Sequence, residues 1–170
     1  MRDIRQLDAE TLRGMLDDFA KNWLAHDGLW FQAVEKQFGM EKAIELDTEA
    51  WEQFTVIEAR RIMARHQIAP NSGLEGLKKA LGFRLYAVLN EQAIRNETAT
   101  SFEFYMLDCR VQSARERKDL PLFPCKSVGL VEYAGFARTI DPRIVTECIG
   151  CPPDANAGDQ FYCGWRFRLA

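Results

Sequence analysis

The first 108 residues of this chain contain no cysteine. All five cysteines stand in the last third, as Cys109, Cys125, Cys148, Cys151 and Cys163, in the spacing C-x15-C-x22-C-x2-C-x11-C. An odd number cannot be fully paired within one chain, so a framework of structural disulfides is a poor reading. Also missing is any apolar stretch near the roughly 18–20 residues that a membrane span needs. The opening residues, Met1 to Gln6, carry no apolar run of signal-peptide type. A cytoplasmic location is expected from this, with the thiols kept reduced. Neither sign of charge dominates, because 22 Lys and Arg meet 25 Asp and Glu for a net charge of −3. No nucleic-acid or anionic-membrane surface is implied by that balance. Internal repeats, low-complexity tracts and linkers are absent as well.

What is present is the composition of a folded protein, 47% hydrophobic with eleven Phe and four Trp against 28% charged residues. A chain of 170 residues makes one domain with a substantial core. Residues 1–82 read as a helical layer and 83–170 as an α+β half that holds every cysteine. Leu12, Met15, Leu16, Phe19 and Trp23 recur at helical steps and predict one apolar face from about Asp8 to Ala25. Gly28 is expected to interrupt or kink the run, Leu29–Phe38 to continue it, and Gly39 to cap it. Met40–Leu46 reads as a short helix, and Asp47 as the cap of another that reaches about His66. A short helix from Leu74 to Gly82 follows, then alternation of Phe83, Leu85, Ala87 and Leu89 predicts a strand. Further strands are expected at Ser101–Asp108, Arg143–Cys148 and Gln160–Leu169, the last two joined by a loop from Pro152 to Asp159. Helices are expected at Arg110–Lys118 and Lys126–Arg138. The fold class is therefore α+β: a helical layer packed on a mainly antiparallel sheet of about four strands, with two further helices.

Several residues could carry chemistry. Cys148-Ile-Gly-Cys151 can present two thiolates to one cation, with Cys163 brought back by a hairpin as a third ligand. The fourth ligand would come from Cys125, Cys109 or His26. The same spacing permits a redox dithiol, and packed core thiols are the bland alternative. His26 continues the apolar face of the first helix and could act as ligand or acid/base, with Asp27 fixing its tautomer. It could equally be a core-edge histidine. Glu58 interrupts the stripe Phe54–Glu58–Ile62 below Trp51, where burial would make it a general base or acid; the alternative is an ion pair with Arg61, Arg84 or Arg110. Glu132 and Tyr133 could line the same pocket. The basic run Arg110, Arg115, Arg117, Lys118 reads as a solvated face. Trp23, Trp30, Trp51 and Trp165 read mostly as core, although aromatics around a cavity would suit a flat organic ligand.

Cys109, Cys125, Glu132–Phe136, Asp141-Pro142-Arg143-Ile144 and the closing Gly158-Asp159-Gln160-Phe161-Tyr162-Cys163-Gly164-Trp165-Arg166-Phe167 together resemble the L-2-amino-thiazoline-4-carboxylic acid hydrolase family. The closing cysteine strand is also similar to the small-molecule-binding 4-vinyl reductase domains. Asn22–Phe31 with Cys148–Asp154 resembles a cytosolic bacterial and archaeal subgroup. The resemblance implies a hydrolase-like protein for a small organic acid or ring, or alternatively a non-catalytic small-molecule or metal-binding sensor. In the hydrolytic case His26 or Glu58 would activate water, and a metal on Cys148, Cys151 and Cys163 would polarise the substrate or order the site. In thiol chemistry Cys125 or Cys163 would be the nucleophile. Asp27, Trp30, Glu132 and Tyr133 would line the ligand pocket. Zinc or iron would be the cofactor, no nucleotide cofactor is indicated, and a small-molecule partner with room for a homodimer completes the expectation.

Overall fold

The computed structural model describes residues 3–154 and 160–170. Residues 155–159, which include most of the expected loop before the last strand and the Gly158-Asp159 of the closing phrase, lie outside the described residues. Two long helices form an antiparallel pair, α1 (Ala9–Phe38) and α2 (Met40–His66). Asp8 caps α1 by accepting the Thr11 backbone N–H at 2.8 Å. Gly39 at φ +86° turns the chain between the two helices, in backbone space that a side chain would resist. After them come α3 (Gly73–Leu81), α4 (Leu85–Leu89), β1 (Gln92–Arg95), β2 (Ser101–Met106), α5 (Arg110–Glu116), α6 (Lys126–Ile140), β3 (Ile144–Gly150) and β4 (Cys163–Leu169).

The four strands pair antiparallel in the order β1-β2-β4-β3, which is the α+β layout expected from the sequence. Period-two alternation sorts the sheet into two faces. Phe102, Phe104, Met106, Trp165 and Phe167 turn inward and meet Tyr133, Phe136, Ala137 and Ile140 of α6, with Leu77 and Leu81 of α3 behind. The opposite face carries a ladder of charges, Arg166 on Glu103 at 2.8 Å and Arg168 on Glu147 at 2.8 Å.

Three expectations about elements are corrected. Gly28 does not break α1, because one mid-helix glycine costs only about 1 kcal/mol against a 30-residue helix. Asp47 caps nothing; it lies within a continuous α2. Residues 83–89 form no strand, since Arg84 is the N-cap of α4, the buried side chains are Arg84, Tyr86 and Leu89, and Phe83 and Val88 are exposed. The α1 face expected as core is also open in part, with Leu16 and Phe19 more than half exposed and no described element over them.

Helix α2 sits close on α6. The backbone of Gly135 faces Thr55, whose hydroxyl donates to the Glu132 carbonyl at 2.7 Å. A Cβ at position 135 would lie 2.6 Å from the Thr55 methyl. Gly135→Ala should therefore lower stability by about 1–3 kcal/mol in denaturant unfolding. Adding Thr55→Ser, which removes that methyl and keeps the hydroxyl, should recover most of the loss.

Candidate functional site

A cavity of about 530 Å³ opens between the helical pair and the mouth of the sheet. Helix α1 supplies Leu24, Ala25, Asp27, Gly28 and Phe31, and α2 supplies Asp47 and Trp51. Tyr86, Met106, Phe123, Val128, Tyr133 and Trp165 make the wall largely apolar and aromatic. Its exposed lining residues are Lys21, Ala25, Leu29, Arg110, Arg117 and Lys118, so four basic side chains stand at the entrance beside two apolar ones.

Behind the wall stands a buried charge. Arg84 is 2% exposed, with Nε donating to Glu58 Oε2 at 2.9 Å. Its Nη2 lies 2.8 Å from the same oxygen and 2.7 Å from Glu132 Oε1. The Nη2 contacts are ion pairs by distance but lie off the hydrogen-bond direction; Nη1, Nη2 and Glu132 Oε1 have no hydrogen-bond partner among the described residues. Four aromatic rings, those of Trp51, Tyr86, Tyr133 and Phe136, surround the guanidinium at 4.7–5.8 Å. Burial opposes the charge on Arg84, but Glu132 and Glu58 outweigh it and raise its pKa overall.

The carboxylates of the cavity outnumber this cation. Burial raises the Asp27 pKa, with His26 opposing. Burial also raises Glu132, against the pull of Arg84. Asp47 is pushed up to about 7, first by burial and then by repulsion from Asp27 and Glu132. Such a group can give or take a proton near neutral pH.

A second polar cluster consists of thiols. Cys109, Cys125, Cys151 and Cys163 all line the cavity, and all five cysteines are free. Cys125 Sγ lies 3.4 Å from Cys151 Sγ, and Gln112 Nε2 donates to Cys125 Sγ at 3.5 Å. The thiols of Cys125, Cys148 and Cys163 act on Cys151 and, with burial, hold it protonated. Contact with Cys151, and then Lys126 nearby, lowers Cys148 instead. Burial pushes Cys109 up to about 12. Among the described residues, no group of three or more His, Cys, Asp or Glu side chains is arranged as a ready-made metal centre.

The sequence candidates separate cleanly in space. Asp27, Glu132, Tyr133, Cys125, Cys151 and Cys163 stand in the cavity wall; His26, Trp30, Glu58 and Cys148 do not. His26 and Trp30 are exposed, because each lies about 160° around α1 from the lining residue Gly28. Glu58 faces Arg84 and is taken up by it, which is the ion pair weighed against a catalytic role. The basic run is also divided, since Arg115 is 2% exposed, bidentate to Glu35 at 2.7 and 2.8 Å and bonded to the Pro121 carbonyl at 2.6 Å. Asp47 and Tyr86 went unrecognised. A signal for Asp47 existed, since it precedes Trp51 by four and Glu58 by eleven on the same helical stripe.

A family model describing a family of unknown function, DUF6125, matches residues 5–169. The chain belongs to that family. No curated protein matches it. The match spans α1 through β4, so the cavity and both of its polar clusters lie within the family's extent.

Two outcomes follow from the buried charges. The folded-state pKa of Asp47 is raised above its unfolded value of 3.8, so its favourable contribution is complete below about pH 4 and is lost as pH rises through about 7. Asp47→Asn should thus stabilise the protein at pH 8, by on the order of 2 kcal/mol after allowance for partial solvent access, and the gain should shrink at pH 5. An equal effect at both pH values, measured by chemical denaturation, would contradict that assignment. Arg84→Met should cost about 3–5 kcal/mol near pH 8, because it strands two carboxylates. Without Arg84 the Glu132 pKa rises further, so the loss should shrink as the pH is lowered and Glu132 becomes protonated.

Proposed function

We propose that the chain binds a small organic acid or ring in the cavity between α1, α2 and α6 and acts on it in a hydrolase-like way. The observation that carries this reading is the pairing of an apolar, aromatic enclosure with Asp47, Asp27 and Glu132 on one side and exposed basic side chains at the entrance. Such polarity suits a molecule with an N–H or ammonium edge inside and an acidic group at the rim. The Trp165 indole N–H, buried and without a hydrogen-bond partner among the described residues, supports it as a donor open to a ligand. The resemblance to the thiazoline carboxylic acid hydrolase family points the same way.

In this reading Asp47, which titrates near neutral pH, replaces His26 and Glu58 as the general base that takes a proton from water. Glu132 orients the N–H edge of the ligand, and Cys125 or Cys163 is the alternative nucleophile only where no cation holds the thiols. Five free thiols support a reducing compartment, so the cytoplasm is the proposed location. No helix among the described residues is long and apolar enough to cross a membrane.

The experiment is a panel of small heterocyclic and amino-substituted carboxylic acids, read by quenching of Trp51 and Trp165 fluorescence and by product analysis. Binding that weakens at least about tenfold in both Asp47→Asn and Glu132→Gln is expected, with turnover rising through about pH 7 and lost in Asp47→Asn. Binding without turnover would make the chain a non-catalytic small-molecule sensor. Ligand binding that ignores both substitutions would overturn the site.

A further inference from the structure

Four of the five thiols meet where β3 ends and α6 begins, and strand register explains why. Gly150 pairs with Gly164, so one further antiparallel step places Cys151 opposite Cys163. The irregularity between Cys148 and Gly150 breaks the alternation that would otherwise separate Cys148 from that pair. Cys125 arrives from a different part of the chain and is tied in place by backbone and side-chain bonds around it. Lys126 N–H donates to the Pro152 carbonyl at 3.1 Å, and Lys126 Nζ reaches Asp154 at 2.9 Å. Asp154 in turn closes the turn after β3, donating its N–H to the Cys151 carbonyl at 2.8 Å and accepting the Cys151 N–H at 3.3 Å.

We infer that Cys125, Cys148, Cys151 and Cys163 form a four-thiolate site for a divalent cation of the zinc or iron(II) class, at the end of the cavity. Thiolate sulfur is the donor such ions take in closed tetrahedral sites. Metal–sulfur distances of about 2.3 Å imply sulfur–sulfur edges of roughly 3.7–3.8 Å in a tetrahedron. Cys125 and Cys151 at 3.4 Å are already that close. Without a cation the sulfurs surround Cys151 as thiols, which is not yet a coordination sphere; a cation enters between them as four S–H protons leave and four metal–sulfur bonds form. The resulting group carries two negative charges, and Lys126, adjacent to Cys148 and Cys151, offsets part of them. Four protein ligands leave no open position, so the ion joins β3, β4 and the start of α6 and does not react with a ligand. Cys109 lines the cavity between β2 and α5, away from the turn that follows β3, and is not part of the set. The inference goes beyond the proposed function and does not rest on it.

The test uses the full chain purified without added metal, first by elemental analysis and then, after chelator treatment, by titration with Co2+. About one equivalent of zinc or iron, or thiolate-to-cobalt charge-transfer absorption saturating at one Co2+ per chain, is the expected result. Cys151→Ser and the less buried Cys148→Ser should each shift the cobalt spectrum and weaken binding at least about 100-fold. Cys109→Ser should change neither, which separates the site from a general response to lost cysteine. Should Cys151→Ser fail to fold, Cys148→Ser and the protection of four of five wild-type thiols from a thiol reagent by bound metal decide the question. No charge-transfer band in the wild type, or a band unchanged in Cys148→Ser, overturns the inference. The fluorescence panel on metal-loaded and stripped protein reports ligand binding separately, so the two proposals fail independently.

Discussion

One buried guanidinium organises this protein. Arg84 leaves the end of α3, enters the space between α2 and α6, and meets Glu58 from one helix and Glu132 from the other. Taking such a charge out of water costs several kcal/mol unless partners surround it. Here two carboxylates and four aromatic rings do so, and each comes from an element that must be in place first. The ion pairs thus fix how α2, α4 and α6 meet, and the cavity is the space left in front of them. Burial first, and then repulsion from Asp27 and Glu132, lifts Asp47 so far.

The two polar clusters of the cavity answer different physical demands. Glu58 and Glu132 are arranged around Arg84, and burial raises the pKa of Asp27, Asp47 and Glu132. The thiols are drawn together by strand register and by the tight turn that Asp154 closes. Proximity of four soft donors costs little as packed thiols, since free cysteine behaves as a small apolar side chain. It acquires a different meaning once a cation can replace the protons. In the proposed readings the carboxylate cluster would serve ligand chemistry and the thiol cluster would hold the mouth of the sheet.

Much of the architecture was legible from pattern. Asp8, Gly39, the loop before α3, the alternation of Phe102, Phe104 and Met106, and the run from Lys126 to Ile140 all carry local rules into the fold. Reading failed where two rules competed. Phe83 to Leu89 satisfies an alternating pattern, yet Tyr86 and Leu89 are the side chains that become buried, and Arg84 is drawn inward by partners far along the chain. Asp47 looks like a helix cap until α1 and α2 close over it. His26 and Trp30 lie outside the cavity lining because the phase of a long helix against its neighbours is a tertiary property.

By itself the sequence determined the α+β class, the order of most elements and the fact that an odd set of cysteines cannot be fully paired within the chain. Those properties follow from periodicity, turn chemistry and charge, which act over a few residues. Tertiary structure alone decided that Glu58 serves Arg84, that Asp47 faces the cavity, and that Cys125 joins Cys148, Cys151 and Cys163. Each of those outcomes depends on a partner at least 20 residues away for Arg84 and Cys125, or on burial by a separate helix for Asp47. Distance along the chain hides such partners from any local rule, and desolvation exists only after the elements have packed.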